Sequence, residues 1–200
     1  MAVSRRGFLS RALLGTAGLA AAGSVPLALR RTRLRPLPPG RPLRFFTPRE
    51  FSIFAAVADR IVPQLSADQP TVEELDVPGK ADELLSRADP DTQHDFRQLL
   101  ALFDSALAAF LLDGRPTPFT ELSPDAQDRA LAQWRTSRLP LRRSGFQGLS
   151  RLSLALYYSD PRSYPGVGYP GPPLLMRADG TAVGGTAEER AAATHTGGVK

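Results

Sequence analysis

The side chains of this 200-residue chain that could do acid–base chemistry are carboxylates, such as Asp59 and Asp160. Two carboxylates at a cleft can act as general acid and base, but no spacing in the sequence brings two of them together. The two histidines, His94 and His195, lie far apart in the sequence, and neither stands near a serine that could act as a nucleophile. The sequence therefore favours a non-catalytic chain over an enzyme that acts through these carboxylates.

Cysteine content and charge exclude further classes. The chain has no cysteine, which excludes disulfide bonds, thiolate metal sites, iron–sulfur clusters, covalently attached haem and a lipid-modified N-terminal cysteine. Its net charge is +5, but residues 1–35 hold seven arginines and no acid, which leaves 18 basic against 20 acidic residues, or −2, for residues 36–200. A nucleic-acid-binding domain keeps a basic face on its folded part, so we expect no nucleic-acid partner.

The clearest motif is Ser4-Arg5-Arg6-Gly-Phe8-Leu9 near the start of the chain. It resembles the twin-arginine export signal, an address that is read by a receptor and that directs proteins already folded in the cytoplasm. We therefore expect the twin-arginine translocase as one partner. A chain without thiols can fold in a reducing compartment and then function in an oxidising one, which agrees with export after folding.

Four segments follow from composition. Residues 1–29 form the signal segment, whose uncharged run 12–29 is short, rich in Ala and Gly, and a poor membrane span. It could still touch the membrane, and whether it is cleaved stays open. Residues 30–45 are an extended linker rich in Arg and Pro, residues 46–173 a helical domain, and residues 174–200 a disordered tail.

Apolar spacing predicts an all-α domain, a small irregular bundle of about four to five helices. The first helix has unusually complete start signals, because Thr47, Pro48 and Glu50 form a capping box with proline at the first helical position. We expect a short helix over 81–87, a long one from Pro90 to Leu112, and two more starting near residues 124 and 141. In the long helix the predicted core stripe is Phe96, Leu99, Leu100, Phe103, Leu107, Phe110 and Leu111.

All the tyrosines of the chain lie in a Gly- and Pro-rich stretch, residues 157–173, which we call the tyrosine arm. Repeated Gly and Pro predict an irregular loop rather than a helix. Tyrosine suits a protein interface, although the same rings could instead fold back over the helices. The candidate interface residues are Tyr157, Tyr158, Tyr164, Tyr169, Pro170 and Gly171.

Three pieces occur in order: the twin-arginine signal, the helix Phe-Thr-Pro-Arg-Glu-Phe…Ala-Asp-Arg-Ile-Val-Pro (46–63), and Tyr-Tyr-Ser-Asp-Pro…Gly-Tyr-Pro-Gly-Pro (157–172). Together they resemble the gluconate 2-dehydrogenase subunit 3 family, small subunits of exported sugar and polyol dehydrogenases. The resemblance implies that FAD belongs to a separate large subunit of the glucose–methanol–choline type, and that a cytochrome c subunit can take the electrons. The chain itself would hold no cofactor and no metal.

The leading hypothesis is a non-catalytic subunit that helps the flavin large subunit mature and escorts it through the twin-arginine system. Its place would be the periplasm or the outer face of the cytoplasmic membrane. The alternative is a stand-alone exported helical binding protein of the cell envelope, which would purify without an oxidoreductase.

Overall fold

The computed structural model describes residues 32–37, 42–173, 175–176 and 182–185. Within these residues the six α-helices are α1 Pro48–Ile61, α2 Val77–Ser86, α3 Pro90–Phe103, α4 Ala106–Asp113, α5 Pro124–Arg135 and α6 Pro140–Tyr158. Three short 3-10 helices cover Phe119–Glu121, Pro161–Ser163 and Pro165–Val167. The predicted all-α bundle is confirmed. Beyond it, Leu175–Met176 pair antiparallel with Ala182–Val183, two residues per strand.

Helix α1 is the centre of the bundle. It begins as predicted, since the Thr47 hydroxyl accepts a hydrogen bond from the Glu50 amide and the Glu50 carboxylate accepts one from the Thr47 amide. Every residue from Phe51 to Ala58 is buried, so all sides of this part of the helix are covered. The reason is that α1 packs against α2, α3 and α6, which enclose it from several sides.

The predicted long helix from Pro90 to Leu112 is wrong, because the chain breaks after Phe103 into α3 and α4. At the break, Asp104 turns its carboxylate into the core, and the Ser105 hydroxyl accepts a hydrogen bond from the Ala108 amide as the cap of α4. Leu100 and Phe103 are buried as expected. Phe110 and Leu111, however, are exposed, because α4 leaves the direction that would have carried them over the core.

The other helices follow the sequence with shifted ends. Helix α2 begins four residues before the predicted position, since Asp76 adopts a left-handed backbone (φ 48°) and its carboxylate accepts a hydrogen bond from the Gly79 amide. Ser123 stands at the start of α5, but its side chain makes no capping hydrogen bond. Helix α6, with 19 residues, is longer than either half of the broken helix and packs against α1, α2 and α5.

Within the described part of the chain, none of the helices combines the length and the apolar character that crossing a membrane requires. The signal residues Ser4, Arg5, Arg6, Phe8 and Leu9 lie outside the described residues, so the export signal stays a prediction.

Candidate functional site

Residues 32–37, which we call the strap, run over the helices without regular secondary structure. Thr32 is buried, and its hydroxyl donates a hydrogen bond to Asp104 Oδ2 at 2.6 Å. The same hydroxyl accepts a hydrogen bond from Arg49 Nε, also at 2.6 Å. Asp104 also accepts hydrogen bonds from the amide and the hydroxyl of Thr120, at 3.0 and 2.9 Å. A buried carboxylate needs such donors to offset its lost hydration. Asp104 therefore fixes the beginning of the strap to the corner between α3 and α4.

Further along, the strap is held by its backbone. The Arg33 amide donates to Thr120 Oγ1 at 3.1 Å, and the Arg35 amide donates to Ser52 Oγ at 2.9 Å. The Arg35 guanidinium pairs with Asp59 of α1. Three successive attachments make the strap part of the folded domain, although its composition predicted only a linker.

The end of the linker is bound by a second buried carboxylate, Asp82 of α2. It accepts hydrogen bonds from three successive amides, those of Arg44, Phe45 and Phe46, at 2.8, 2.9 and 2.7 Å. Arg97 of α3 covers the Phe45 ring, with its guanidinium carbon 4.5 Å from the ring centroid, and donates to the Phe45 carbonyl at 3.0 Å. Asp82 thus sets the point at which the chain enters α1.

The structure separates the candidate tyrosines. Tyr157 is fully buried, and its hydroxyl donates to the Pro70 carbonyl at 2.6 Å. Burial raises the pKa of this hydroxyl. The rings of Tyr157 and Tyr158 meet edge to face, with their centroids 5.1 Å apart. Tyr157 is a core residue that ties α6 to the loop before α2.

The rest of the tyrosine arm lies nearer the surface. Tyr164 is half-buried, and Tyr169 is exposed, with the two rings in edge-to-face contact at 5.0 Å. Pro170 is exposed, and Gly171 is half-buried with φ 102°, a conformation that favours glycine. Of the six candidate interface residues, Tyr169 and Pro170 are thus the ones that a partner could reach most directly.

The two candidate catalytic carboxylates are both engaged in ion pairs. Arg162 binds Asp160 through two hydrogen bonds, at 3.0 and 2.9 Å, and Lys80 Nζ lies 2.9 Å from the same carboxylate. These cations hold the pKa of Asp160 well below its usual range. Asp59 is paired with the strap. His94 is exposed and contacts Gln98. Among the described residues, no group of His, Cys, Asp or Glu could hold a metal ion.

Sequence reasoning missed Asp82 and Asp104, the two carboxylates that anchor the linker. Their local signal is weak, because each looks like an ordinary polar helix residue. The hydroxyl of Thr32 and the amides of residues 44–46, which they bind, come from distant parts of the chain. A composition rich in Arg and Pro gave no indication that the linker is bound.

Comparison with known proteins then yields one match. The family model described as gluconate 2-dehydrogenase subunit 3 matches residues 48–171, more than half of the chain and nearly all of the helical domain. No match was found among curated proteins or among solved structures.

Proposed function

Because the chain belongs to the gluconate 2-dehydrogenase subunit 3 family, and is therefore a subunit of a dehydrogenase complex, we propose that it is a non-catalytic escort. In this proposal it binds a flavin-dependent large subunit, helps that subunit mature and carries it through the twin-arginine system. FAD is then held by the large subunit, and haem c by a third subunit where one is present. The complex works in the periplasm or at the outer face of the cytoplasmic membrane.

The strap is the observation that carries the proposal beyond family membership. It joins the predicted signal segment to the folded domain at Thr32, through the buried Asp104. A passenger bound to this domain would then be carried with the signal, because both belong to one chain. Such a link supports a system that transports folded proteins, in which one address can serve two chains.

Replacing both Arg5 and Arg6 by Lys tests the escort function. The full chain and its flavin large subunit are produced together, and both are quantified in cytoplasmic and periplasmic fractions. We expect both proteins to stay in the cytoplasm, because Lys does not reproduce the planar guanidinium that the address presents. The matched control replaces Arg30 and Arg31, a second arginine pair outside the motif, by Lys. The control should leave export unchanged.

Periplasmic large subunit in the presence of the Arg5→Lys, Arg6→Lys variant would refute the escort role. Equal loss of export in the control would show instead that any guanidinium pair ahead of the domain, rather than this motif, is what matters.

A second candidate is the stand-alone exported binding protein. A cavity of about 500 Å³ favours it, bordered by Arg35 and Leu37 of the strap, Phe51 of α1 and Val72 and Glu73 of the loop before α2. This volume is within the range of small-molecule sites. The same co-production separates the two functions, because a stand-alone protein would purify as a monomer without the oxidoreductase.

A further inference from the structure

Helix α4 is apolar around its whole circumference yet is not enclosed. Its sequence, Ala-Leu-Ala-Ala-Phe-Leu-Leu-Asp, carries a single charged residue, at its end. Phe110, Leu111 and Leu112 are consecutive, so they point about 100° apart around the helix. All three are exposed, Leu111 to 71%. A helix that is apolar on every side is ordinarily buried on every side, so the outer surface of α4 lacks a cover within the described residues.

The exposed surface continues onto the beginning of α6. Leu139 and Leu141 are exposed, Leu141 to 66%. Arg142 and Asp113 form a buried ion pair with two hydrogen bonds, at 3.0 and 2.8 Å. Arg142 directly follows Leu141, and Asp113 directly follows Leu112. This pair holds the two helix ends side by side. Together, Phe110, Leu111, Leu112, Leu139 and Leu141 form what we call the α4 face.

A groove extends the α4 face toward α3. It has a volume of about 530 Å³ and runs between α3 and α6, bordered by Phe96, Leu99, Leu102 and Leu141. Leu102 also borders the small cleft that contains Leu112, so the groove and the α4 face meet at this side chain. The five side chains of the α4 face expose on the order of 500 Å² of apolar surface, near the largest patch that a monomer ordinarily shows. That is a sufficient apolar centre for an interface of standard size, about 800 Å² on each partner.

The surroundings of the α4 face are basic. Residues 105–118 and 135–143 hold five arginines against one acid, Asp113, which Arg142 already neutralises, and the groove adds one further acid, Asp95. Arg115, beside the end of α4, has Nε and Nη1 buried without a hydrogen-bond acceptor among the residues that the structure describes. Burial lowers the pKa of this guanidinium. The excess of arginines around the α4 face favours a partner that brings carboxylates.

We propose that the α4 face binds the flavin large subunit, with α4 inserted into an apolar groove of that subunit whose rim is acidic. The identity of the partner rests on the proposed function, whereas its shape and charge rest on the α4 face. This is the helix-in-groove mode of recognition, with apolar anchors at the centre and charge at the rim.

Other occupants fit the α4 face less well. A flat membrane surface matches a helix with one apolar side, but α4 exposes apolar residues in three directions. The signal segment of the same chain is itself basic, with arginines and no acid, and would meet the basic rim with like charge. A second copy in a two-fold dimer would also oppose arginine with arginine.

The test replaces Leu111 by Asp and, separately, Leu141 by Asp in the full chain, which is produced together with the flavin large subunit. Binding is measured by co-purification and by titration of the two purified proteins. We expect each variant to bind about 30-fold more weakly or worse, the effect of losing an interface hot spot. Helical circular dichroism and the fluorescence of Trp134 should stay those of the wild type, because both leucines are exposed.

Matched controls use leucines of similar exposure on other faces. Leu65 is 63% exposed in the loop after α1, and Leu84 is 51% exposed on α2. Leu65→Asp and Leu84→Asp should bind like the wild type. A combined Arg138→Glu, Arg143→Glu variant should also bind about tenfold more weakly, with a reduced dependence on salt, because it removes the attraction to an acidic rim.

Unchanged binding by Leu111→Asp and Leu141→Asp, with a wild-type chain that does bind, would overturn this inference and leave the proposed function standing. Loss of binding with Tyr169→Ala instead would move the interface to the tyrosine arm and also overturn it. A wild-type chain that binds no large subunit would refute the proposed function together with this partner. Leu111-dependent binding to vesicles of anionic phospholipid, or Leu111-dependent self-association in light scattering, would in that case identify the occupant.

Discussion

Replacing Thr32 by Val should release the strap while leaving the helices folded. Valine keeps the shape of the side chain but removes the hydroxyl that donates to Asp104 at 2.6 Å. Asp104 keeps its two hydrogen bonds from Thr120, and the exposed Arg49 can donate to water instead of to Thr32. The main loss is therefore the one charge-assisted hydrogen bond between Thr32 and Asp104. Such a bond contributes about 2 kcal/mol, which corresponds to about a 30-fold larger population of the released strap.

Trypsin measures that population at the Arg33–Leu34 bond. The Arg33 amide is bonded to Thr120, so the protease reaches this bond only after the strap detaches. When reattachment is faster than cleavage, the rate follows the released population, and mass spectrometry should find cleavage about 30-fold faster in Thr32→Val. Cleavage after Arg151 of α6, which requires unfolding of the bundle, should change far less. The control Thr136→Val removes an exposed hydroxyl from the end of α5.

An unchanged rate at Arg33–Leu34 in Thr32→Val would refute the idea that Asp104 anchors the strap. An equal acceleration after Arg33 and Arg151 would show that the strap detaches only when the whole domain unfolds.

Two further predictions concern the other buried or paired carboxylates. Asp82→Ala should lower the free energy of unfolding by about 3 kcal/mol, because three successive amides lose their acceptor. Urea unfolding followed by Trp134 fluorescence measures this free energy. A loss no larger than that of the exposed loop variant Asp68→Ala would contradict the prediction. Asp160 has a pKa below its unfolded value because Arg162 and Lys80 bind it, so it stabilises the fold at neutral pH. That contribution should decrease progressively as the pH falls below about 4, the unfolded value, and be lost fully only below the lower pKa of the folded state. Asp160→Asn should therefore flatten the acid side of the stability curve, and an unchanged slope would argue against the pairing.

Local signals were sufficient to predict the start of α1. The capping box, the proline at the first helical position and the apolar spacing all lie within a few residues, and all point to the same structure. The position of α1 at the centre of the bundle could not be predicted in the same way. Ser52 and Ala56 look like residues of a polar or neutral face, and their burial depends on distant segments, since the strap donates to Ser52 and borders Ala56.

The tyrosine arm shows the same limit. Tyr157 follows an apolar run and Tyr169 lies among Gly and Pro, yet the sequence left the same two interpretations open for both. What separates them is the carbonyl of Pro70, which accepts the Tyr157 hydroxyl from 87 residues away and makes burial of the ring possible. Tyr169 has the ring of Tyr164 as a neighbour and stays exposed. A single sequence contains no local signal for such distant partners.

The break between α3 and α4 is the error with the greatest consequence, because one side chain accounts for both candidate functional features. In a continuous helix, Leu107 and Phe110 would follow Phe103 along the buried stripe at spacings of three and four. Asp104 would then lie within the helix and not at its end. In the structure its carboxylate is buried among Thr32 and Thr120 instead, and the chain restarts at Ser105 in a new direction. The same turn provides the anchor for the strap and takes Phe110 off the core, so Thr32, where the strap begins, is attached next to the start of the helix that we propose as the partner's binding face.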